Sequence, residues 1–164
     1  MTEAACLTIR AMTDEDVGPL AHSLGTNEAS IDHRWRHQTF GWQRMLVACV
    51  GGLPVGSVNI DEREDLREYL HLFALGVAPE FRRQGIGSRL IGRVEEAATK
   101  RGCKGVFLNV GIENPDARRL YERLGYVAEG DEFEITWHWL KDDGTEGGRE
   151  SEVVVRMFKR FPGP

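Results

Sequence analysis

The sequence predicts an α/β (α+β) fold, with a mixed, mostly antiparallel central sheet flanked by helices. Strand-like apolar runs, two well-delimited amphipathic helices in the second half, and a length of 164 residues that suits one hydrophobic core all support this class. The predicted elements follow the order β-αα-βββ-α-β-α-ββ. Only the middle strand–helix–strand part has the order of a parallel βαβ unit. We therefore expect one domain over residues 1–164.

The first third of the chain is predicted to form one strand and two helices. Leu7, Ile9 and Ala11 alternate with polar residues, as in a half-buried strand. The segment that begins at Thr13 has acids in its first turn, where the helix dipole favours negative charge. A second amphipathic stretch covers residues 30–40. Two consecutive helices should therefore precede the rest of the sheet.

The middle of the chain predicts three strands and a long helix. The runs MLVACV and PVGSVNI flank a Gly-Gly-Leu connection, which indicates an antiparallel hairpin. After an acidic run, YLHLFALGVA is long and apolar enough for a central strand. A helix that begins at Gly85 carries apolar residues at helical spacing and ends at Gly102.

The last part of the chain predicts a strand, a helix and a hairpin. VFLNV is a short strand, after which Asn114 and Pro115 supply an N-cap and a proline at the first helical position. That helix ends at Gly125. The runs FEITWHWL and EVVVRMF are joined by the polar segment KDDGTEGGRES, which predicts a second hairpin with a long loop.

Composition excludes several classes of protein. The net charge of -5 disfavours general binding to nucleic-acid phosphates, which requires a basic surface. No run of about 18 apolar residues predicts a membrane span, and the first residues lack a signal-peptide pattern, so we expect a cytoplasmic protein without a membrane partner. Cys6, Cys49 and Cys103 contain no CxxC pair, and three buried thiols are a better interpretation than a nucleophile, disulfide or zinc site.

The densest functional signal lies between Val77 and Ser88. Glycines at the start of a helix allow ligand oxygens to approach first-turn amides that have no intrahelical partner, as in a diphosphate site. Leu90 stands where GxGxxG requires its third glycine, and no Gly-Lys-Ser/Thr sequence follows. Rossmann and P-loop interpretations are therefore disfavoured.

Two motifs in this region resemble those of the GCN5-related N-acetyltransferase (GNAT) family. Residues 82–87, RRQGIG, match the acetyl-CoA motif, in which Arg or Gln precedes two variable residues, Gly, a variable residue and Gly or Ala. Residues 114–126 are similar to the family's NxxAxxLYxxxGF stretch, with Tyr126 in place of the commoner Phe. The resemblance spans about residues 70–128, and the element order on both sides also suits the family.

The resemblance implies an acetyl-CoA site. The backbone of Leu75 and Val77 would pair with pantetheine, and the Val77 N–H would polarise the acetyl carbonyl. Asn114 would contact the cofactor, although a simple N-cap explains it equally well. The motif positions that would surround the CoA diphosphate are Arg82, Arg83, Gln84, Gly85, Ile86, Gly87 and Ser88.

The resemblance also assigns the proton transfers. Tyr121 matches the general acid that protonates the departing CoA thiolate, with packing in its helix as the alternative. His71 is a candidate base, because a period of two places it on the strand face of Val77, but a structural histidine is equally consistent. Glu68 is the next candidate, on the opposite face unless a bulge intervenes. Proton loss through water is a further alternative.

The family's acceptor site lies between the first helix pair and the last hairpin. These segments carry Trp35, Trp42, Trp137, Trp139, His33, His37 and His138. Aromatic residues beside acids suit an amine, but for Trp137 and Trp139 we favour a core position on one strand face. His33 and His37 are four residues apart without a convincing third ligand, so we predict no metal site.

The sequence therefore predicts an acetyl-CoA-dependent N-acetyltransferase that acetylates a primary amine of a small molecule or peptide by direct attack in a ternary complex. The alternative is an inactive CoA-binding sensor of the same fold, and an acyl group larger than acetyl stays open. Residues 82–104 carry a charge of +5, whereas residues 61–68 carry -3 and residues 131–152 carry -6. This distribution suits a cationic acceptor. Homodimers are common in the family.

Overall fold

The computed structural model describes residues 5–39, 41, 43–63 and 68–163, and it has the predicted element order. The strands are β1 (Leu7–Ala11), β2 (Gln43–Val50), β3 (Leu53–Asp61), β4 (Tyr69–Val77), β5 (Gly105–Gly111), β6 (Val127–Leu140) and β7 (Glu146–Arg160). The helices are α1 (Val17–Leu24), α2 (Glu28–Thr39), α3 (Ile86–Lys100) and α4 (Pro115–Arg123). Short 3-10 turns occupy Asp14–Asp16 and Pro79–Phe81.

The seven strands form one sheet in the order β1-β2-β3-β4-β5-β7-β6. Only β4 and β5 are parallel, and the other neighbours pair antiparallel, which confirms the predicted mixed, mostly antiparallel sheet. The last hairpin differs from the prediction, because residues 146–151 belong to β7 rather than to a long loop. Their polar side chains are tolerated because this end of the hairpin is mostly exposed.

Helices cover both sides of the sheet. We call the α3 side the one where Leu70 and Leu72 of β4 are buried in a core cluster with Leu90 of α3. The α1 side is the one where Met45 and Val47 of β2 cluster with residues of α1 and α2. Each large apolar side chain in these clusters contributes about 1.5–3 kcal/mol by leaving water, so both helical layers are held mainly by burial.

A β-bulge interrupts β4 at Ala74. Asn59 pairs with Phe73 and Ser57 pairs with Gly76, so β4 has one more residue than β3 over this stretch. Ala74 takes the extra position with a φ of 51°, which is unusual for a residue other than glycine. The bulge reverses the alternation of side chains along the strand.

Because of this reversal, His71 and Phe73 lie on the α1 side, whereas Leu75 and Val77 pack against the core on the α3 side. Two glycines show this directly. A Cβ at Gly87 of α3 would lie 4.0 Å from a Val77 methyl, and one at Gly76 would lie 3.7 Å from Leu24 of α1. The prediction that His71 and Val77 share a face is therefore wrong.

The sheet is open between its two parallel strands. The register joins β4 to β5 only through Tyr69–Gly105, Leu70–Val106 and His71–Phe107. Beyond His71, the β5-facing edge of β4 has no paired strand within the described chain. We call the gap between residues 72–77 of β4 and residues 108–111 of β5 the split.

Two further sequence expectations concern the cysteines and the membrane. Cys49 is buried as predicted, but Cys103 is half-buried and Cys6 is exposed. Burial raises the pKa of the Cys49 and Cys103 thiols, which keeps them protonated and unreactive. Among the described residues, no helix is long and apolar enough to cross a bilayer.

Candidate active site

The turn before α3 presents free backbone amides. Gly85 is the N-cap with a φ of 78°, and the amide of Arg89 donates to the Gly85 carbonyl at 3.1 Å. The amides of Ile86, Gly87 and Ser88 precede this bond and have no intrahelical partner. With the positive end of a 15-residue helix dipole behind them, they can bind an anion.

Local side-chain contacts shape the same turn. Arg83 has a φ of 61°, in the left-handed region that is unusual for a residue other than glycine. Arg82 donates from Nε to the Val77 carbonyl at 3.0 Å, and Gln84 donates to the Glu80 carbonyl at 3.3 Å. These two side chains therefore fix the turn from behind, while the backbone of the turn is left for a ligand.

The backbone of β4 faces the split at the predicted positions. Ala78 donates its amide to Val55 of β3 at 2.7 Å, so alternation turns the Val77 N–H and C=O away from β3. Leu75 has the same orientation, because Gly76 between them pairs with Ser57. The edge of β4 thus offers hydrogen-bonding groups beside the α3 turn.

Tyr121 lies on the α3 side, in the core cluster against which Val77 also packs. The residue is 8% exposed, and its ring meets that of Tyr126 edge-on at 6.0 Å between centroids. Burial raises the pKa of its hydroxyl to about 12. No side chain or carbonyl in the described ranges hydrogen-bonds to this hydroxyl. Tyr121 is therefore a protonated, unused donor at neutral pH.

Asn114 caps α4. Its side chain accepts a hydrogen bond from the Ala117 amide at 3.2 Å, and Pro115 follows as the first helical residue. The N-cap function is therefore present in the structure, as the capping pattern predicts. A contact with a cofactor stays a prediction.

His71 lies on the α1 side and is not a base poised near neutral pH. Its ring stacks on Phe107 with 4.5 Å between centroids. Burial lowers its pKa to about 4, with Arg156 and Arg63 acting in the same direction and Asp61 opposing them. The imidazole is therefore neutral at pH 7 and a weak proton acceptor.

Glu68 stands at the closed end of the β4–β5 pair. It is exposed, directly precedes β4, and pairs with the Lys104 ammonium at 2.7 Å. The backbone of Glu68 is also held in place, because the Lys104 amide donates to the Glu68 carbonyl at 2.6 Å. At about 3.3 Å per residue, the nine steps to Val77 separate the two by roughly 25–30 Å. The structure does not bring Glu68 to the split.

The α1 side of the sheet carries an aromatic surface. Register pairing places His71, Phe107 and Phe158 in one row across β4, β5 and β7. Trp137 and Trp139 of β6 are 38% and 42% exposed, so the prediction that they fill the core is wrong. The Trp139 ring instead covers the backbone of two β7 glycines. Because β6 is the edge strand of the sheet, the two tryptophan rings have a neighbouring strand on one side only.

Other aromatic and histidine positions from the sequence have varied surroundings. Trp35 of α2 packs partly buried on the α1-side cluster, and His33 is exposed. His138 contacts the Glu146 carboxylate across the last hairpin. Trp42 and the side chain of His37 lie outside the described residues. Within the described ranges, no cluster of His, Cys, Asp and Glu could hold a metal ion.

One tether connects the helical layer with the last hairpin. The Asn27 side chain, between α1 and α2, donates to the Leu140 carbonyl at the end of β6, at 2.7 Å. The α1–α2 connection and the hairpin are thereby joined on the α1 side. That these segments bound the acceptor site, as the resemblance implied, stays a prediction.

Sequence reasoning missed three polar residues of the α1 side. Ser57 and Asn59 are fully buried on β3, and neither side chain has a hydrogen-bond partner among the residues that the structure describes. Arg156 interrupts the apolar run of β7 and lies over the Phe107 ring at 4.8 Å. A charged residue within VVVRMF was a usable signal for Arg156. Nothing in the alternation of β3 distinguishes Ser57 and Asn59.

A shallow groove of about 640 Å³ also runs between β1 and α3. Leu7, Thr8 and Ile9 line one wall, and residues from Ser88 to Glu96 line the other. Tyr121, His71 and the split lie outside it. Because the reactive groups and free amides are elsewhere, we base the site on the split and the α3 turn.

A split between two parallel strands, with an anion-binding turn at the next helix, defines the class of acyl-CoA-binding folds to which the motifs pointed. The acetyltransferase (GNAT) family model matches residues 11–126. The chain belongs to the GNAT acetyltransferase family.

Individual relatives agree with this assignment. An uncharacterized N-acetyltransferase of Methanocaldococcus jannaschii is 36% identical, over 82% of this chain and 65% of the relative. The chain thus spans less than two thirds of that protein's length. Among solved structures, Ard1 from Thermoplasma volcanium has a TM-score of 0.69 at 20% identity, over 96% of this chain and 99% of that one. Spermidine N-acetyltransferase from Vibrio cholerae, in complex with CoA and spermine, has a TM-score of 0.67 at 24% identity, over 94% and 95%.

Proposed function

We propose that the protein is an acetyl-CoA-dependent N-acetyltransferase that acetylates a primary amine by direct attack in a ternary complex. The observation that carries this proposal is the split itself. Its β4 edge turns the Val77 N–H toward the gap, the free amides of α3 begin next to it, and Tyr121 lies in the same core layer. Family membership supports the acetyl-CoA donor.

In the proposed complex, the CoA diphosphate binds the amides from Arg83 to Ser88, and pantetheine follows the edge at Leu75 and Val77. The Val77 N–H then donates to the thioester carbonyl oxygen, where negative charge develops in the tetrahedral intermediate. The neutral amine forms the new C–N bond, the C–S bond breaks, and CoA leaves as thiolate. Tyr121 donates a hydrogen bond to that sulfur, and the amine supplies the net proton that makes the thiol.

The amine must lose protons on the α1 side. Transfer from an ammonium of pKa about 10 to an imidazole with a pKa near 4 is uphill by about 8 kcal/mol, which argues against His71 as the base. Glu68 is separated from the split by most of β4. We therefore propose proton loss through water on the aromatic surface, so that the rate rises with the neutral fraction of the amine.

The acceptor is proposed to be a primary amine of a small molecule or peptide. Residues 131–152, with a charge of -6, and the exposed rings of Trp137 and Trp139 lie on the last hairpin, where they suit cationic parts of a ligand. The solved neighbour from Vibrio cholerae is in complex with CoA and spermine, and this amine ligand supports the proposal. The second candidate, a CoA-binding sensor, is favoured only by the weak basicity of His71.

Two measurements separate these functions. Calorimetry with acetyl-CoA reports the cofactor site, and thiol release with acetyl-CoA and panels of amino acids, polyamines, aminoglycosides and peptides reports transfer. Binding without thiol release from any amine would favour the sensor. Absence of binding would contradict both functions.

Gly87→Glu tests the cofactor site. We expect it to abolish acetyl-CoA binding, because a carboxylate at the α3 turn repels the diphosphate and fills the space beside Val77 and Leu120. Gly92→Glu is the matched control, since it adds the same side chain to α3 at a position where a Cβ meets no atom within 4 Å. Equal affinity of the two variants for acetyl-CoA, measured by calorimetry, would contradict the proposed diphosphate site.

A further inference from the structure

Arg156 stands at the mouth of the split on the α1 side. It pairs in register with Asn109 of β5, two residues beyond the last β5 residue that still pairs with β4. Phe107 and Phe158, two residues away along their strands, lie in the row of His71, so alternation places Asn109 and Arg156 on the same side. Continuation of the β4–β5 register places Asn109 level with Phe73, so the guanidinium lies on the α1 side of the split, before the β4 edge residues Leu75 and Val77.

Aromatic rings and an amide hold this guanidinium in place. Its Nε donates to the Asn109 side-chain oxygen at 3.2 Å. The guanidinium carbon lies 4.8 Å from the Phe107 ring centroid and 5.3 Å from that of Phe133. These contacts fix the orientation of the fork but engage only one of its five N–H groups. Among the described residues, the outer N–H groups have no hydrogen-bond acceptor and can serve a ligand.

No carboxylate in the described part of the chain pairs with Arg156. Its register partner on β6 is Glu129, but that carboxylate contacts Arg160 at 2.6 Å instead. Arg10 and Arg63, by contrast, bind Asp16 and Asp61. The half-buried charge of Arg156 is felt nearby, since it helps to lower the pKa of His71. A rigid guanidinium without an acid matches a carboxylate or carbonyl oxygen of a ligand.

We propose that Arg156 binds an oxygen of a carboxylate or carbonyl group attached to the carbon that bears the reacting amine, so that the acceptor is an α-amine of this kind rather than a polyamine. The inference rests on the proposed function and names its substrate class. A polyamine would bring a second cation toward Arg156, which like-charge repulsion disfavours. The acidic hairpin segment, residues 131–152, is then available for cationic groups farther along the same acceptor.

The test compares three pools of amines in thiol release with the full chain and acetyl-CoA. The first pool contains free L-amino acids, the second their C-terminal amides, and the third amines without the carbonyl group, including phenethylamine and spermidine. We expect the best acceptors in the first or second pool, preferred over their matched amines by about tenfold or more in kcat/KM. The comparison of the first two pools distinguishes a carboxylate from a peptide-type carbonyl.

Variants then assign the preference to Arg156. Arg156→Gln should raise KM for the preferred acceptor about tenfold or more, leave KM for acetyl-CoA unchanged, and alter phenethylamine kinetics less than about twofold. Arg156→Lys should restore part of the preference, because it keeps the charge. Arg93→Gln is the control, since it removes an exposed arginine charge from α3, on the opposite side of the sheet from Arg156.

Either of two results overturns the proposal: a best acceptor in the third pool, or a preference that survives in Arg156→Gln. A uniform loss of activity toward all amines together with a lower melting temperature would assign Arg156 a purely structural role and also contradict it. If the wild-type protein binds acetyl-CoA but acetylates nothing, the proposed function itself fails, which is a distinguishable outcome.

Discussion

Replacement of Tyr121 by Phe removes a hydroxyl that the protein itself does not use. The ring is buried against Tyr126, and the hydroxyl has no partner among the described residues, so Phe keeps the packing and breaks no internal hydrogen bond. Because the substitution breaks no hydrogen bond within the described residues and keeps the ring, we expect the free energy of unfolding to change by less than about 1 kcal/mol. Any large effect must then be on catalysis.

For turnover we expect a loss of about 10²–10⁴-fold, the usual contribution of a positioned acid, with acetyl-CoA affinity unchanged. Because burial raises the pKa of Tyr121 to about 12, the wild-type phenol stays protonated throughout the assay range, and its ionisation should not lower the rate below about pH 11. Steady-state thiol release, calorimetry and thermal unfolding measure the three quantities.

Tyr126→Phe is the matched control. Its hydroxyl donates to Glu95 at 3.1 Å, in a network with the Lys159 ammonium. Loss of that bond should cost about 1–3 kcal/mol of stability and leave turnover nearly unchanged. The reasoning is refuted if the two variants behave alike, or if Tyr121→Phe keeps wild-type turnover at neutral pH.

Two other sites give predictions of the same kind. His71→Ala should retain the alkaline-rising limb of the pH–rate profile, because an imidazole with a pKa near 4 does not produce it, whereas loss of that limb would restore His71 as the base. The same low pKa affects stability, because the unfolded imidazole binds its proton more tightly than the folded one. The contribution of His71 to the free energy of unfolding should therefore fall by about 3 kcal/mol from pH 6.5 to 4. Acid titration should show a smaller fall for His71→Phe. Asn59→Leu should raise the melting temperature, because it removes a fully buried amide without partners, and a decrease would show that Asn59 is hydrogen-bonded in solution.

Periodicity and end signals were sufficient to predict the order of the elements. The limits of α3 and α4 follow from local chemistry, since Gly85, Asn114 and Pro115 act on their own helix ends. The motifs at the α3 turn and around Tyr121 are also local, so their placement beside one core was predictable once the family was suspected. Predictions were wrong for residues whose environment is made by neighbouring strands.

The bulge in β4 shows why the environment of such residues could not be predicted from the sequence. The run LFALGV after His71 is apolar throughout, so no alternation in the sequence marks the extra residue, and only pairing with β3 reveals it. Likewise, the low pKa of His71 comes from burial beside Phe107 of another strand. Trp137 and Trp139 have a core-like pattern, but the strand order leaves β6 at the edge of the sheet. These properties are decided by tertiary contacts.

The extra residue at Ala74 also divides β4 into two halves that can change independently. Substitutions at His71 and Phe73 alter the wall on the α1 side, whereas those at Leu75 and Val77 alter packing under α3. The acceptor side can thus diversify while the strand edge at Val77 keeps its orientation. A single-residue deletion at Ala74 would remove the bulge but leave Val77 opposite Gly56, so the Val77 amide would still face away from β3.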